Sequence, residues 1–186
     1  MLNFCTVDLS AFYFDIRKDT LYCDPINSEK RNSCLKILNI ILESLLKWFA
    51  PILSFTTEEI YKLLSNKNKS IHLEKFTIYP ESFKNDQLEK KWNELIKIRN
   101  ICNISIEEKR ANKLIGSSLE AQIEVSLDQK LKDITENIDF SELCITSRAH
   151  LNFSDKKEIE VITKKAEGSK CPVCWKINIQ SCTRHS

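Results

Sequence analysis

Glycine is scarce in this sequence: 2 of its 186 residues are glycine and 4 are proline. Tight turns often need a positive φ, which glycine adopts without steric cost, so a fold with many such turns is disfavoured. We therefore predict long helices rather than a β-sandwich or a β-barrel. Hydrophobic residues at 42% and charged residues at 29% are ordinary values for a folded chain, which argues against general disorder.

The charges nearly balance, with 28 basic and 26 acidic side chains and a formal net charge of +2. That total alone indicates no polyanionic partner. The distribution is uneven, because residues 114–163 hold 5 basic and 10 acidic side chains, whereas residues 164–186 hold 5 basic and 1 acidic. The last 23 residues therefore form a basic tail.

The sequence carries no sign of secretion or of a membrane span. Its 8 cysteines are too few for a disulfide scaffold, and the N-terminus lacks the basic and apolar regions of a signal peptide. The most apolar stretch, residues 34–55, contains Lys36, Asn39, Glu43 and Lys47, which are costly inside a bilayer. We expect a cytoplasmic protein that does not enter a membrane.

Hydrophobic side chains repeat at helical spacing in four segments. The predicted helices span residues 2–20, 29–50, 56–64 and 86–111. Ser28 is a predicted N-cap, Pro51 ends the second helix, and Thr56 with Glu59 has the spacing of a capping box. The second helix is apolar around most of its circumference, so we expect it to lie inside a bundle.

Beyond the fourth helix the hydrophobic period changes from about 3.6 residues to two. The alternation starts at Leu119 and predicts a first strand with one wet face. Two further strands are predicted over residues 143–151 and 158–163, with a short helix over 129–137. The fold class is therefore mainly α, and the predicted modules are a helical domain (1–114), a small α+β unit (115–165) and a metal-binding tail (166–186).

Two ligand pairs stand in the tail, Cys171 with Cys174 and Cys182 with His185. A gap of two residues lets one tight turn direct both side chains at a single ion, and two such turns supply the four ligands of structural zinc. The sequence therefore predicts one structural zinc ion. The alternative is that these cysteines are ordinary cytosolic thiols and that His185, one residue from the end, is frayed.

The remaining cysteines and histidines are assigned no chemistry. Cys5, Cys23, Cys34, Cys102 and Cys144 are scattered and are predicted to be core residues. His72 and His150 have no partner at ligand spacing and are predicted to be structural. The sequence also lacks a glycine-rich phosphate loop, an activated nucleophile and paired catalytic carboxylates. We predict that the chain alone is not a catalyst.

Four further stretches are distinctive: NFCTVDLSAFYFDIRKDTLYCD (3–24), WFAPILSFTTEEIY (48–61), KLIGSSLEA (113–121) and GSKCPVCWK (168–176). In this order they resemble the C-terminal portion of bacterial isoleucyl-tRNA synthetase. The resemblance implies a truncated helical-bundle anticodon-binding domain followed by the α+β unit and a zinc module. It implies tRNA(Ile) as the partner, with no role for DNA. The second metal pair of that family is usually two cysteines, so His185 is a departure.

The family enzyme is a ligase that attaches isoleucine to tRNA(Ile) using ATP, with its catalytic core and editing domain in the same chain. Neither ATP signature of that enzyme, the His-Ile-Gly-His type or the Lys-Met-Ser-Lys-Ser type, occurs here. We therefore expect this chain to be a fragment that binds no ATP and forms no isoleucyl-adenylate. The alternative is a free-standing zinc-dependent RNA-binding protein derived from the same domain.

Bases in a single-stranded loop are held by stacking on aromatic or guanidinium planes, and cations follow the phosphates. The candidate RNA-binding residues in the tail are Lys170, Trp175, Lys176 and Arg184. Those on the helix over residues 86–111 and just beyond it are Arg99, Lys109, Arg110 and Lys113. The alternative is that Trp175 packs over the predicted metal turn, residues 171–174, and that the cations form a solvated face.

Overall fold

A computed structural model describes residues 1–65, 69–155, 158–182 and 184 of the chain. Among them, α-helices span Asp15–Cys23 (α1), Glu29–Phe49 (α2), Ser54–Ser65 (α3), Asp86–Ala111 (α4), Lys132–Thr135 (α5) and Phe140–Leu143 (α6). Strands span Ala121–Asp128 (β1), Arg148–Ser154 (β2), Glu160–Lys165 (β3), Ser169–Lys170 (β4) and Ile177–Asn178 (β5). The prediction of a mainly helical chain with a small α+β part is confirmed.

The chain divides into two compact units, one of residues 1–24 with 85–186 and one of residues 25–84. The predicted module 1–114 therefore contains parts of both units. The three predicted sequence modules remain a prediction. No helix in the described ranges has the length and hydrophobicity needed to cross a bilayer.

The N-terminal helix of the first unit is longer than predicted. A π-helical segment, Phe4–Phe14, continues directly into α1, which ends at Cys23 rather than at residue 20. Leu9, Ile16 and Thr20 are its buried positions. The ring of Phe12 meets the ring of Trp92 on α4 edge to face, with 6.1 Å between their centroids.

In the second unit, α2 begins as predicted. Ser28 Oγ accepts a hydrogen bond from the backbone N–H of Arg31 at 3.3 Å, which satisfies one free donor of the first turn. The expectation that α2 lies inside a bundle is wrong for Leu35, Ile37 and Ile40 in its N-terminal half, which are exposed. Within this unit α2 packs mainly on α3 and on the short 3₁₀-helix Ile71–Leu73, and residues 44–49 at its C-terminal end are buried or partly buried.

The start of α3 also differs from the prediction. The backbone N–H of Leu53 bonds to Phe49 O at 2.7 Å, so helical turns continue past Pro51 and α3 begins at Ser54. Thr56 therefore lies in the first turn of α3 rather than at its N-cap, and the predicted capping box is wrong. The polar run SNKNKS (65–70) predicts a loop after α3, and residues 66–68 of that run lie outside the described ranges.

The core of the first unit forms where α4 packs on a three-stranded sheet. The strand order is β2-β1-β3, with β1 parallel to β2 and antiparallel to β3. The predicted alternation in β1 is confirmed, because its inward side chains are fully buried against α4. These core side chains are Ala121, Ile123, Val125 and Leu127 of β1 and Leu95, Ile98, Cys102 and Ile106 of α4.

The other predicted strands are displaced. The strand predicted over 143–151 begins at Arg148, because Leu143 ends α6 and residues 144–147 form the turn that leads from α6 to the strand. The first N–H groups of α6 are capped by Asp139. The strand predicted over 158–163 spans Glu160–Lys165. The short helix predicted over 129–137 corresponds to a 3₁₀ turn, Gln129–Leu131, that leads into α5.

The tail folds as a small hairpin attached to the sheet. Strands β4 and β5 pair antiparallel, with Lys170 opposite Ile177. Ser147, which precedes β2, accepts a hydrogen bond from the N–H of Ile177 at 2.6 Å and donates to the carbonyl of Leu119. One buried hydroxyl thus joins the hairpin to the start of the sheet.

We predict that Gly168→Ala destabilises the hairpin. Gly168 has φ +125°, and an added Cβ would overlap the carbonyl oxygen of Asn178 on the facing strand. Both effects act against folding, so the free energy of unfolding in urea should fall by roughly 1–3 kcal/mol. The control is Gly116→Ala, whose Cβ would lie 3.5 Å from the Glu120 carboxylate and which should change stability by less than about 1 kcal/mol. Equal losses from the two substitutions would contradict the prediction.

Candidate metal centre and nucleic-acid interface

Three cysteines of the tail converge at one point. Cys171 follows β4 directly, Cys174 closes the turn between β4 and β5, and Cys182 follows β5. Their Sγ atoms all lie within 4.8 Å of one another, and those of Cys174 and Cys182 are 4.0 Å apart. The hairpin therefore brings together three of the four predicted metal ligands, whereas His185 lies outside the described residues.

Backbone hydrogen bonds shape the turn around this cluster. The N–H of Trp175 bonds to Cys171 O at 3.0 Å, and the N–H of Cys171 bonds to Lys176 O at 2.9 Å. The backbone N–H groups of Cys174 and Val173 bond to the Cys171 sulfur and lower the pKa of its thiol. The turn thus stabilises the thiolate form of Cys171, one of three cysteines in the cluster.

Burial has the opposite effect on the second cysteine, since it raises the pKa of Cys174 to about 11. A bound cation would offset this cost, because metals hold cysteines as thiolates. In a tetrahedral site with Zn–S bonds of about 2.3 Å, neighbouring sulfur atoms stand about 3.8 Å apart. The 4.0 Å between the Sγ atoms of Cys174 and Cys182 is close to that value, and all three Sγ atoms lie within 4.8 Å of one another, so the cluster could hold a metal ion.

The other five cysteines, His72 and His150 are not among the residues grouped in this cluster. Cys34, Cys102 and Cys144 are buried, as predicted for core residues, whereas Cys5 and Cys23 are only partly buried. His72 and His150 are both exposed, so neither fills a core position.

Trp175 is presented to solvent on the metal turn. Its side chain is 58% exposed, and the Lys170 ammonium stands 5.6 Å from the centroid of its ring. The backbone of Trp175 has φ +62°, a conformation that costs a non-glycine residue roughly 1–2 kcal/mol. Lys176 is partly buried beside Trp175, with its Nζ 3.5 Å from Ser141 Oγ. Three of the predicted RNA-binding residues therefore stand together at the cysteine cluster.

Arg184 is engaged inside the protein. Its guanidinium forms ion pairs with Asp19 on α1 and with Asp24 just after α1, and its Nε donates to Asp24 Oδ1 at 2.6 Å. Burial opposes the charged form, but the hydrogen bonds to the two carboxylates outweigh it and raise the pKa of Arg184 above its usual value. The side chain fastens the end of the tail to the end of α1, and its predicted contact with RNA remains untested.

The predicted residues on and after α4 fall into two groups. Arg99 is nearly buried, donates from Nε to the carbonyl of Leu143 at 2.9 Å and lies over the ring of Phe12. Its surroundings indicate a structural role. The others lie near the C-terminal end of α4: Lys109 is partly exposed, and Arg110 and Lys113 are exposed. Arg110 also pairs with Glu107 at 2.6 Å.

Comparison with known proteins adds a family to this geometry. Residues 1–125 match the sequence family described as the anticodon-binding domain of tRNA ligase. The chain therefore belongs to this family. It is 65% identical over its whole length to an isoleucine–tRNA ligase of Pelagibacter ubique (strain HTCC1062). Isoleucine–tRNA ligases of Agrobacterium fabrum and Bartonella henselae are 40% and 38% identical over 95% of it. The resemblance found in the sequence is confirmed.

The chain spans about a fifth of the length of those relatives: it covers 21% of the Pelagibacter protein and 19% of the other two. The family match ends within β1, whereas the identity to the Pelagibacter protein continues through the cysteine cluster. The tail is therefore shared with an isoleucine–tRNA ligase.

Sequence reasoning missed the residues that attach the tail. Asp19 and Asp24 stand 165 and 160 positions before Arg184, and no local pattern links them. Ser147 lies in the predicted second strand, where a serine carries no special signal. The excess of basic charge in the tail was the one available indication that it would meet acidic side chains.

We predict that Arg184→Ala lowers stability. The change leaves two partly buried carboxylates without their cation, so the free energy of unfolding in urea should fall by about 1–3 kcal/mol. Lys170→Ala is the matched control, because Lys170 is exposed, and it should change stability by less than about 0.5 kcal/mol. If Arg184→Ala weakened RNA binding and left stability unchanged, the structural role given to Arg184 would be wrong.

Proposed function

We propose that this chain is the tRNA-binding part of an isoleucine–tRNA ligase and that its partner is tRNA(Ile). The observation that carries the proposal is 65% identity over all 186 residues to the Pelagibacter ligase, together with the match to the anticodon-binding family. In the proposed ligase, ATP-dependent attachment of isoleucine belongs to a catalytic core in the same polypeptide. The chain contributes recognition of tRNA and is inactive alone.

The proposed metal is one zinc ion held by Cys171, Cys174, Cys182 and His185. The convergence of three sulfur atoms and the thiolate-stabilising N–H groups at Cys171 support this assignment. Four protein ligands leave no open coordination position, so the zinc supplies structure rather than catalysis. It would fix Cys182, and with it the short segment that carries Arg184 to α1.

The proposed RNA surface is centred on the exposed ring of Trp175 and its two neighbouring lysines. Trp175 offers a plane for base stacking, and Lys170 and Lys176 offer cations for the phosphates on either side of it. Lys109, Arg110 and Lys113 near the end of α4 form a second proposed phosphate contact. Arg99 and Arg184 are less suited to bind RNA, because both are held by partners within the protein.

We predict one zinc ion per chain in protein purified without chelator. Cys182→Ser should reduce the bound zinc to well below one equivalent, because the site loses a thiolate ligand. Elemental analysis of the desalted protein measures this content. Cys5→Ser, which changes a cysteine outside the cluster, is the control and should retain the metal. A zinc content near zero in the unmodified protein would contradict the assignment.

We predict that the chain binds tRNA(Ile) with an affinity that falls as salt rises. Lys170→Ala and Lys176→Ala should each weaken binding and reduce the slope of log affinity against log salt by about 0.7–0.9, the value for one lost phosphate contact. Filter binding or fluorescence anisotropy at several salt concentrations measures the slope. The control Lys130→Ala removes an exposed lysine outside the proposed surface and should leave the slope unchanged. Equal slopes in all four proteins would contradict the proposed surface.

A further inference from the structure

The two halves of the proposed metal site differ in how the protein holds them. Cys171 and Cys174 are buried and lie on a turn that backbone hydrogen bonds close. Cys182 is only partly buried, and residues 179–181, which lead to it from β5, are exposed and form neither helix nor strand. The turn therefore fixes the first ligand pair, whereas the position of Cys182 depends on what holds the chain around it.

Arg184 supplies that constraint from the C-terminal side of Cys182. Its guanidinium pairs with the carboxylates of Asp19 and Asp24, and its Nε donates to Asp24 Oδ1 at 2.6 Å. None of the three side chains is more than 26% exposed, so water competes weakly for these bonds. Two residues of extended chain span at most about 7 Å, so fixing Arg184 confines Cys182 as well.

The same end of α1 also contacts the first ligand pair. The Cys23 thiol lies 3.9 Å from the carbonyl oxygen of Val173, within reach of a weak S–H···O hydrogen bond. Val173 stands between Cys171 and Cys174 on the metal turn. The end of α1 thus contacts the segments that carry both halves of the site, within the unit of residues 1–24 and 85–186.

Contacts of this kind affect how tightly a site holds its metal. Ligands that are positioned before the metal arrives lose less conformational freedom when they bind it. Removing side chains that orient the ligands from behind typically weakens metal binding 10–100-fold. The coupling is reciprocal: a metal that binds more tightly when Arg184 is anchored must equally favour the anchoring ion pairs at α1.

We propose that the C-terminal end of α1 preorganises the metal site and that metal binding in turn stabilises this end of the helix. Asp19 and Asp24 are positioning residues that touch no metal and act through Arg184 on the second ligand pair. The inference rests on the proposed zinc site. It gives α1 a role that ligand spacing does not reveal, because Asp19 and Arg184 are 165 positions apart.

The test measures the zinc affinity of the full chain by competition with a chromophoric chelator. The variant that carries both Asp19→Asn and Asp24→Asn should bind zinc roughly tenfold more weakly, although no residue of the tail has changed. Arg184→Ala should give a similar loss. Combining all three substitutions should add little to either loss, because they remove the same interaction.

The matched control is Arg17→Ala. Arg17 also lies on α1, and its side chain is 25% exposed and pairs with Glu142 at 2.8 Å, away from the tail. The substitution should lower stability and leave zinc affinity unchanged. An equal loss of zinc affinity in this control would mean that any destabilisation of the unit weakens the site, and it would overturn the inference.

Hydrogen exchange in the unmodified chain tests the reverse coupling. Removing zinc with a chelator should speed amide exchange at the end of α1, residues 20–24, and leave exchange in β1 unchanged. Unchanged exchange at the end of α1, or full zinc affinity in the variant with both Asn substitutions, would overturn the inference and leave the proposed zinc site standing. An unmodified chain that binds no zinc would overturn both, and tRNA binding by that chain would show whether the proposed recognition of tRNA still holds.

Discussion

The burial of β1 against α4 is the interaction on which the first unit depends. The inward face of β1 is excluded from solvent, and both of its edges are paired, so the strand is held on three sides. Because β2 runs parallel to β1, the chain must cross over from one end of the sheet to the other between them. This crossover contains α5 and α6. The crossover in turn supplies residues that meet α1.

The tail has too few apolar residues to fold alone, and its attachments depend on that core. Ser147 accepts the N–H of Ile177 at the entrance to β2, while Arg184 reaches the carboxylates near the end of α1. Both attachments are polar and at least partly buried. Their contribution to stability therefore depends on complete hydrogen bonding rather than on the apolar surface area that they bury. A metal ion held by Cys171, Cys174 and Cys182 would link the two ends of the hairpin to each other.

The sequence predicted the features that are determined by interactions between residues close together in the chain. The cap at Ser28, the alternation in β1 and the two-residue gap between Cys171 and Cys174 each act within a few residues, and the sequence contains them in full. What could not be predicted depends on distant partners. The pairing of Arg184 with Asp19 joins residues 165 positions apart, and the exposure of Leu35, Ile37 and Ile40 on α2 reflects which neighbours that helix has in its unit.

The direction of the Trp175 ring depends on the backbone of the turn that carries it. Hydrogen bonds on both sides of the residue, from Trp175 N–H to Cys171 and from Cys171 N–H to Lys176, fix the turn. Because these bonds belong to the backbone, the ring is positioned without being buried and keeps most of its surface free. A metal ion on Cys171 and Cys174 would hold the same turn from its other face. The chain thus keeps a strained residue at the proposed RNA surface, where a rigid, exposed plane suits base stacking.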